Sequence, residues 1–255
     1  MEAITRKVPG CICITPDGNR RAWRRIQWLF QLFGRKSGAH ERGLRTCREI
    51  IQAAFDAGVE HVVLWGASES NIQSRSSTEV YVLVDLLKNE LRARICDAGK
   101  EMTRFRICGN WRDYIRDLEL DELITQAEKA TAKYSCTLTL LFCYSGETEV
   151  SEAYLSILSG ETTPGVLRDL SPKERKELLR EHLWTSHVPK VDLHIRTGVK
   201  RLFGRMVPNV SDPLLPMQTQ DTVLYYTTRL WPHFRRRHLK RALAVWAKRQ
   251  LNRGA

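Results

Sequence analysis

The sequence predicts an α/β fold with a mostly parallel central sheet of about six strands flanked by helices. Two observations carry this: apolar, β-rich runs alternate with helical patterns, and polar turns follow several of the runs. Cys11 to Ile14 read as a buried strand that Pro16 stops, with Gly18 permitting a tight turn. A helical pattern over Glu41 to Ala57 leads to HVVLWG at His61 to Gly66, and another over Thr78 to Ala98 leads to RFRICG at Arg104 to Gly109. A third over Leu118 to Lys133 precedes TLTLLFCY at Thr137 to Tyr144, and a fourth covers Glu147 to Leu158. VDLHIR at Val191 to Arg196 and TVLYYT at Thr222 to Thr227 complete the strands. Between these two, Val199 to Gln220 reads as a long loop bearing Pro208, Pro213 and Pro216. With no stretch resembling a flexible linker, residues 1–255 are expected to form a single domain.

Two helices stand out. On Thr78 to Ala98, the residues Val80, Leu83, Val84, Leu86, Leu87, Leu91 and Ile95 make an apolar face broader than one packing stripe needs. It suits either a well-buried helix or the wall of a hydrocarbon pocket. After Asp221 there is no Asp or Glu, and Arg235, Arg236, Arg237, Lys240, Arg241, Lys248 and Arg249 surround Leu239, Leu243, Trp246 and Leu251. That spacing predicts a terminal amphipathic helix with a basic outer face.

The turn after the first strand carries Asp17, Gly18, Asn19, Arg20 and Arg21. Free N–H groups at a helix start and two arginines suit a diphosphate. A carboxylate there is repulsive unless a cation lies between, so Asp17 implies a bridging Mg²⁺. The alternative is an Asp-Gly turn with solvated arginines. Ligands of parallel sheets sit at the carboxyl ends of the strands. Asp17, the Ser68 to Arg75 segment and the Arg196 to Gly198 turn each follow a strand, and are expected to line one crevice.

A net charge of +12 suits a polyanionic partner: nucleic acid, an anionic membrane or a multiply phosphorylated substrate. The arginines cluster at strand ends and on one terminal helix without a nucleic-acid motif, which argues against nucleic acid. Seven cysteines without a C-x-x-C pair lie mostly in apolar runs, favouring reduced thiols in a cytoplasmic protein over disulfides or zinc. No run approaches a membrane span and the amino terminus lacks the apolar core of a signal peptide, so any membrane contact is expected to be peripheral.

In this order the motifs resemble those of the cis-prenyltransferase family, the undecaprenyl and dehydrodolichyl diphosphate synthases, over nearly the whole length. PDGNRRAW at Pro16 to Trp23 resembles M-D-G-N-x-R-W-A, and HERG at His40 to Gly43 resembles G-H-x-x-G. SESNIQSR at Ser68 to Arg75 resembles F-S-x-E-N-x-x-R, and VDLHIRTG at Val191 to Gly198 resembles D-L-x-I-R-T-G. LWPHF at Leu230 to Phe234 resembles L-W-P-x-F. The resemblance implies condensation of an allylic diphosphate with isopentenyl diphosphate, Mg²⁺ as cofactor and a homodimer. It implies that Asp17 holds the Mg²⁺, that Gly18, Asn19, Arg20, Arg21, Lys36 and His40 bind the allylic diphosphate, and that Ser68, Asn71 and Arg75 lie near the reacting centre. Arg196 would anchor isopentenyl diphosphate, and Gly66, Leu83, Leu86 and Leu87 would line a hydrocarbon tunnel.

The second half departs from the family pattern. Where the family reads R-T-G-G-E-x-R-x-S, this chain has RTGVKRLFGRMVPNVSDPLLP. Either Arg201 stands for the second arginine and Phe203 for the serine, or an insertion moves the serine to Ser211. Val223 replaces the glutamate of A-E-L-Y-F, Ser70 replaces that of S-x-E-N, and Glu147 replaces a basic residue. Three readings follow: regular elongation with a rebuilt second pocket, irregular coupling, cyclisation or transfer to another acceptor, and a non-catalytic accessory subunit.

Overall fold

The computed structural model describes residues 8–24, 39–160, 164–208 and 214–251. Its strands are β1 (Cys11–Thr15), β2 (His61–Ser68), β3 (Arg104–Cys108), β4 (Thr137–Tyr144), β5 (Leu193–Arg196), β6 (Lys200–Leu202), β7 (Arg205–Val207) and β8 (Val223–Tyr226). Six of them form one parallel sheet in the order β3-β4-β2-β1-β5-β8. The chain winds outward from β1 through β2, then returns to the other side of β1 with β5, so the strand order reverses at the β1/β5 seam. Open parallel sheets bind ligands at such a reversal, beyond the strands' carboxyl ends.

Alternation along each strand builds a core on both faces. Ile12, Ile14, Val62, Leu64, Phe105, Ile107, Leu138 and Phe142 point to one face. There they meet α2 (Ala39–Asp56), α4 (Ser77–Glu101), α6 (Leu118–Thr131) and α10 (Arg236–Leu251). Cys11, Cys13, Val63, Cys108, Leu141 and Tyr144 point to the other, where Val188, Val191 and Leu215 cover them. All seven cysteines are free, and three of them, Cys11, Cys13 and Cys108, fill buried strand positions on this face.

Local chemistry fixes the ends of these elements. Ser76 caps α4 by accepting from Glu79 N at 3.3 Å, and Asp117 caps α6 by accepting from Leu120 N at 3.0 Å. Asp192 Oδ2 accepts from Gly10 N at 2.8 Å and Cys11 N at 3.1 Å, tying the start of β1 to β5. On the second face Glu149, from α7 (Gly146–Ser159), accepts from the Tyr144 hydroxyl at 2.6 Å and Thr185 N at 2.8 Å. Burial raises its pKa despite those donors.

The segment expected as one long loop is partly ordered: β6 and β7 form an antiparallel hairpin. Its tip, Phe203 and Gly204, has positive φ at both residues (48° and 76°), as a two-residue type I′ turn demands. Phe203 is 96% exposed. Two helices without a counterpart in the sequence reading, α8 (Pro164–Asp169) and α9 (Pro172–Glu181), precede β5.

Near the amino ends of β2 and β4, His61 Nε2 and His187 Nε2 sit 2.9 Å and 3.0 Å from Thr139 Oγ1. Burial lowers both imidazoles to about 4, assisted for His61 by His187 and for His187 by Arg106 and Arg104. Because both folded values lie below the unfolded one, the stability of this cluster is complete above about pH 6.5 and is lost as pH falls towards 4. The difference in urea midpoint between the wild type and His61→Gln/His187→Gln should therefore be smaller at pH 4.5 than at pH 7.5. An unchanged difference would show that the imidazoles do not resist protonation.

Candidate active site

β1 ends at Thr15, and the chain turns through Pro16 and Asp17 into Gly18, whose φ is +107°. A Cβ on Gly18 would come within 2.7 Å of Leu230 Cδ2, so the turn needs glycine for space as well as conformation. The short helix α1 (Asn19–Arg24) follows. On the neighbouring strand, β5 runs through Arg196 into Thr197 and Gly198.

These two turns are sewn together. Thr197 Oγ1 accepts from Asp17 N and donates to Asp17 O, both at 3.0 Å. Trp231 N also donates to Asp17 O at 3.0 Å. Arg21 Nη2 donates to Gly198 O at 2.5 Å and lies 3.2 Å from Asp17 Oδ2. With its backbone fully engaged, Asp17 presents a carboxylate that is 46% exposed. Arg21 lies beside it, and Arg196, buried at the end of β5, lies one strand over. His194, two residues earlier, is lowered to about 4 by burial and then by Arg196, so it pairs as a neutral ring with Thr15 Oγ1 at 2.8 Å.

On the other side of β1, a register irregularity around Gly66 and Ala67 sets the last turn of β2. Ser68 there caps α3 (Glu69–Gln73): its Oγ accepts from Asn71 N at 3.2 Å and from Asn71 Nδ2, and lies 2.9 Å from Ser70 Oγ. The hydroxyl thus fixes the orientation of the Asn71 amide. Glu69, one place before the expected glutamate, is buried and accepts from Thr148 Oγ1 at 2.7 Å. It anchors α7. Arg75 follows α3 and is half-buried.

Arg20 lies in α1 and His40 in the first turn of α2; their side chains fall outside what is described. Lys36 and Ser211 lie outside the described residues. Arg201 stands on β6 of the exposed hairpin, paired with Met206. Glu147 is exposed in the first turn of α7, where a carboxylate complements the helix dipole. Val223 is buried in the main core opposite Leu193.

Behind the Asp17 turn a cavity of about 170 Å³ runs under the first sheet face. Pro16, Asn19, Gly43 and Gly66 line it near the strands' carboxyl ends, and Leu83, Leu86 and Leu87 of α4 form one wall. Asn19 Oδ1 is buried without a hydrogen-bond partner among the described residues, 2.7 Å from where a Cβ on Gly43 would lie. Cys47, also in the lining, keeps its proton because burial pushes it up to about 12.

A carboxylate and arginines at a strand reversal, opening into an apolar cavity, suit a substrate with an anionic head and a hydrocarbon tail. Residues 15–254 match the family described as "Putative undecaprenyl diphosphate synthase". The chain belongs to the cis-prenyltransferase family. An isoprenyl transferase of Chlamydia trachomatis is 32% identical over 250 residues, spanning 97% of this chain and 92% of that protein. A tritrans,polycis-undecaprenyl-diphosphate synthase (geranylgeranyl-diphosphate specific) of Archaeoglobus fulgidus is 30% identical, spanning 95% and 90%. A lavandulyl diphosphate synthase from Lavandula x intermedia, solved with dimethylallyl diphosphate, shares the fold with a TM-score of 0.77. It has 23% identity, with 94% of this chain and 96% of that chain covered. The chain is accordingly a prenyltransferase.

Sequence reasoning assigned no role to Thr197, Trp231, Leu230 or Asp192, the residues that hold the seam. Thr197 was within reach, since a hydroxyl one residue past a strand arginine is a natural backbone tie. A Cβ on Gly198 would lie 2.6 Å from Asp17 O and 2.7 Å from Arg21 Nη2, at φ +66°. Gly198→Ala should lower unfolding free energy by at least about 1 kcal/mol and depress prenyl transfer sharply. Gly204→Ala, also at positive φ but in open space, should lose stability with prenyl transfer retained. Equal activity in the two variants would show that the seam does not position the site.

Proposed function

We propose that the enzyme condenses an allylic diphosphate with isopentenyl diphosphate, using Mg²⁺, to give a cis-prenyl or cis-polyprenyl diphosphate. The observation that carries this is the sewn Asp17/Gly198 seam, which holds a carboxylate and Arg21 beside Pro16 and Asn19, two residues that line an apolar cavity. In the reaction the allylic C1–O bond breaks and pyrophosphate leaves with the electron pair. The isopentenyl double bond supplies the new C–C bond, and a proton leaves the adjacent carbon.

Arg21 and Asn19 are assigned to the allylic diphosphate, together with Gly18, Arg20, Lys36 and His40. Asn19 Oδ1, buried without a hydrogen-bond partner among the described residues, supports a polar ligand at this point. Arg196 is assigned to isopentenyl diphosphate. Asn71, held by Ser68, is assigned to orienting groups at the reacting carbons, with Arg75 beside them. Mg²⁺ fits the donor set: Asp17 offers one half-exposed carboxylate, and Mg²⁺ is commonly held by one or two carboxylates with substrate phosphates. Asp17 would hold it, and the ion would supply positive charge to offset that of the leaving pyrophosphate. The apolar walls exclude water from the electron-poor carbon.

A second reading, transfer of the allylic group to another acceptor without regular elongation, is favoured by Val223. A buried core residue stands there in place of the family glutamate, and the hairpin around Phe203 replaces part of the second motif. A homodimer in the cytoplasm, with the basic α10 face towards an anionic membrane, completes the reading.

Purified protein with Mg²⁺ and dimethylallyl, geranyl or farnesyl diphosphate, with and without isopentenyl diphosphate, decides between the readings by mass spectrometry of products. Extension only with isopentenyl diphosphate supports elongation, whereas products formed without it support the second reading. Asp17→Ala should reduce turnover on the order of 10²-fold or more with melting unchanged. Arg196→Ala should raise the KM for isopentenyl diphosphate about tenfold or more and leave that for the allylic substrate little altered. Equal effects on both substrates would contradict the assignment of Arg196.

A further inference from the structure

The cavity is apolar along most of its length but ends on charge. Helix α4 starts beside the carboxyl ends of the strands, where α3 leaves β2, and descends to the start of β3. Its lining residues therefore mark depth: Leu83 first, then Leu86 and Leu87, then Glu90, then Arg94. The rise of an α-helix puts Glu90 about 10 Å below Leu83. At the same depth lie Phe105 and Leu138, paired near the amino ends of β3 and β4.

Glu90 is buried with both oxygens engaged. Oε2 accepts from Arg48 Nε at 3.1 Å and Nη2 at 2.6 Å, and Oε1 accepts from Arg94 Nη2 at 3.3 Å. The Arg94 guanidinium lies 5.2 Å from the centre of the Phe105 ring. Arg94 is as buried as Glu90, while Arg48 reaches in from the surface of α2. None of these three residues belongs to the Asp17 seam, and none is assigned a part in the condensation.

We propose that the Arg48–Glu90–Arg94 ion triad is the floor of the hydrocarbon cavity and sets the longest prenyl tail that the enzyme accommodates. This rests on the reading of the cavity as the seat of a prenyl tail. A tail gains free energy for each methylene it buries against Leu83, Leu86 and Leu87. At Glu90 that gain stops. Further advance would have to part a buried carboxylate from its guanidinium partners, and leaving such charges uncompensated costs more than the burial of a few methylenes returns.

The test is a binding series with non-ionising thiolo-diphosphate analogues carrying dimethylallyl, geranyl, farnesyl and geranylgeranyl tails, measured by calorimetry with Mg²⁺. Affinity in the wild type should rise with tail length, then fall at least tenfold once the tail reaches the floor. In Glu90→Leu/Arg94→Leu, which removes the buried pair together, that break should move out by at least one isoprene unit. Arg94→Met is the companion variant, because Glu90 keeps Arg48 and the fold is preserved if the double variant melts early. A break at the same length in folded variants, or none in the wild type, would overturn the proposal. Product analysis separates the two readings. If the wild type makes no elongated product yet shows the break, elongation fails and the floor stands. Elongation with product lengths unchanged in the variants removes the floor alone.

Discussion

The seam between β1 and β5 is the constraint on which the site depends. Parallel strands deliver their turns to the same edge of the sheet, but nothing in strand pairing alone holds two loops in register beyond their last ladder bond. Here Thr197 does so, with one hydroxyl serving both the N–H and the C=O of Asp17. Trp231 shares the same carbonyl, and its indole Nε1 donates to Gly43 O at 3.0 Å, so the seam also fixes α2. The seam holds Asp17 by its backbone and leaves the carboxylate to Arg21 and solvent, and that division of labour lets one residue be both a structural node and a candidate ligand.

The same strands that present the polar edge supply the apolar wall. Ile12 and Ile14 of β1 join the face under which the cavity runs, while Cys11 and Cys13 fill the other. A hollow beneath the helices forfeits packing that a filled core would have. Its retention beside Asp17 is reasonable where a hydrocarbon tail supplies the missing contacts. The charged floor then reads as the point at which filling stops.

Much of this was legible in the sequence because its causes are local. TLTLLFCY matches β4 to the residue and Cys11 to Ile14 falls one residue short of the end of β1, since continuous apolar β-formers between turn residues have few other uses. Gly66, Leu83, Leu86 and Leu87, which the family resemblance grouped together, do line one cavity. Other features have causes that a one-dimensional pattern hides. Helix α9 buries none of its residues and so has no apolar stripe, although the Ser171/Glu174 capping box was present to be read. The hairpin at Phe203 puts a large aromatic at a positive φ, against the preference of its side chain. The Arg48–Glu90–Arg94 triad joins two helices 42 residues apart along the chain, a distance that no spacing rule spans.

The central claim is that the Asp17 seam receives a diphosphate while the cavity receives its tail. A crystal structure with Mg²⁺ and the thiolo analogue of an allylic diphosphate tests it most directly. The account predicts density for the diphosphate against Asp17, Asn19 and Arg21, with the tail between Gly66 and the leucines of α4 pointing towards Glu90. A diphosphate bound at the exposed hairpin or along α10, with the cavity closed, would contradict it.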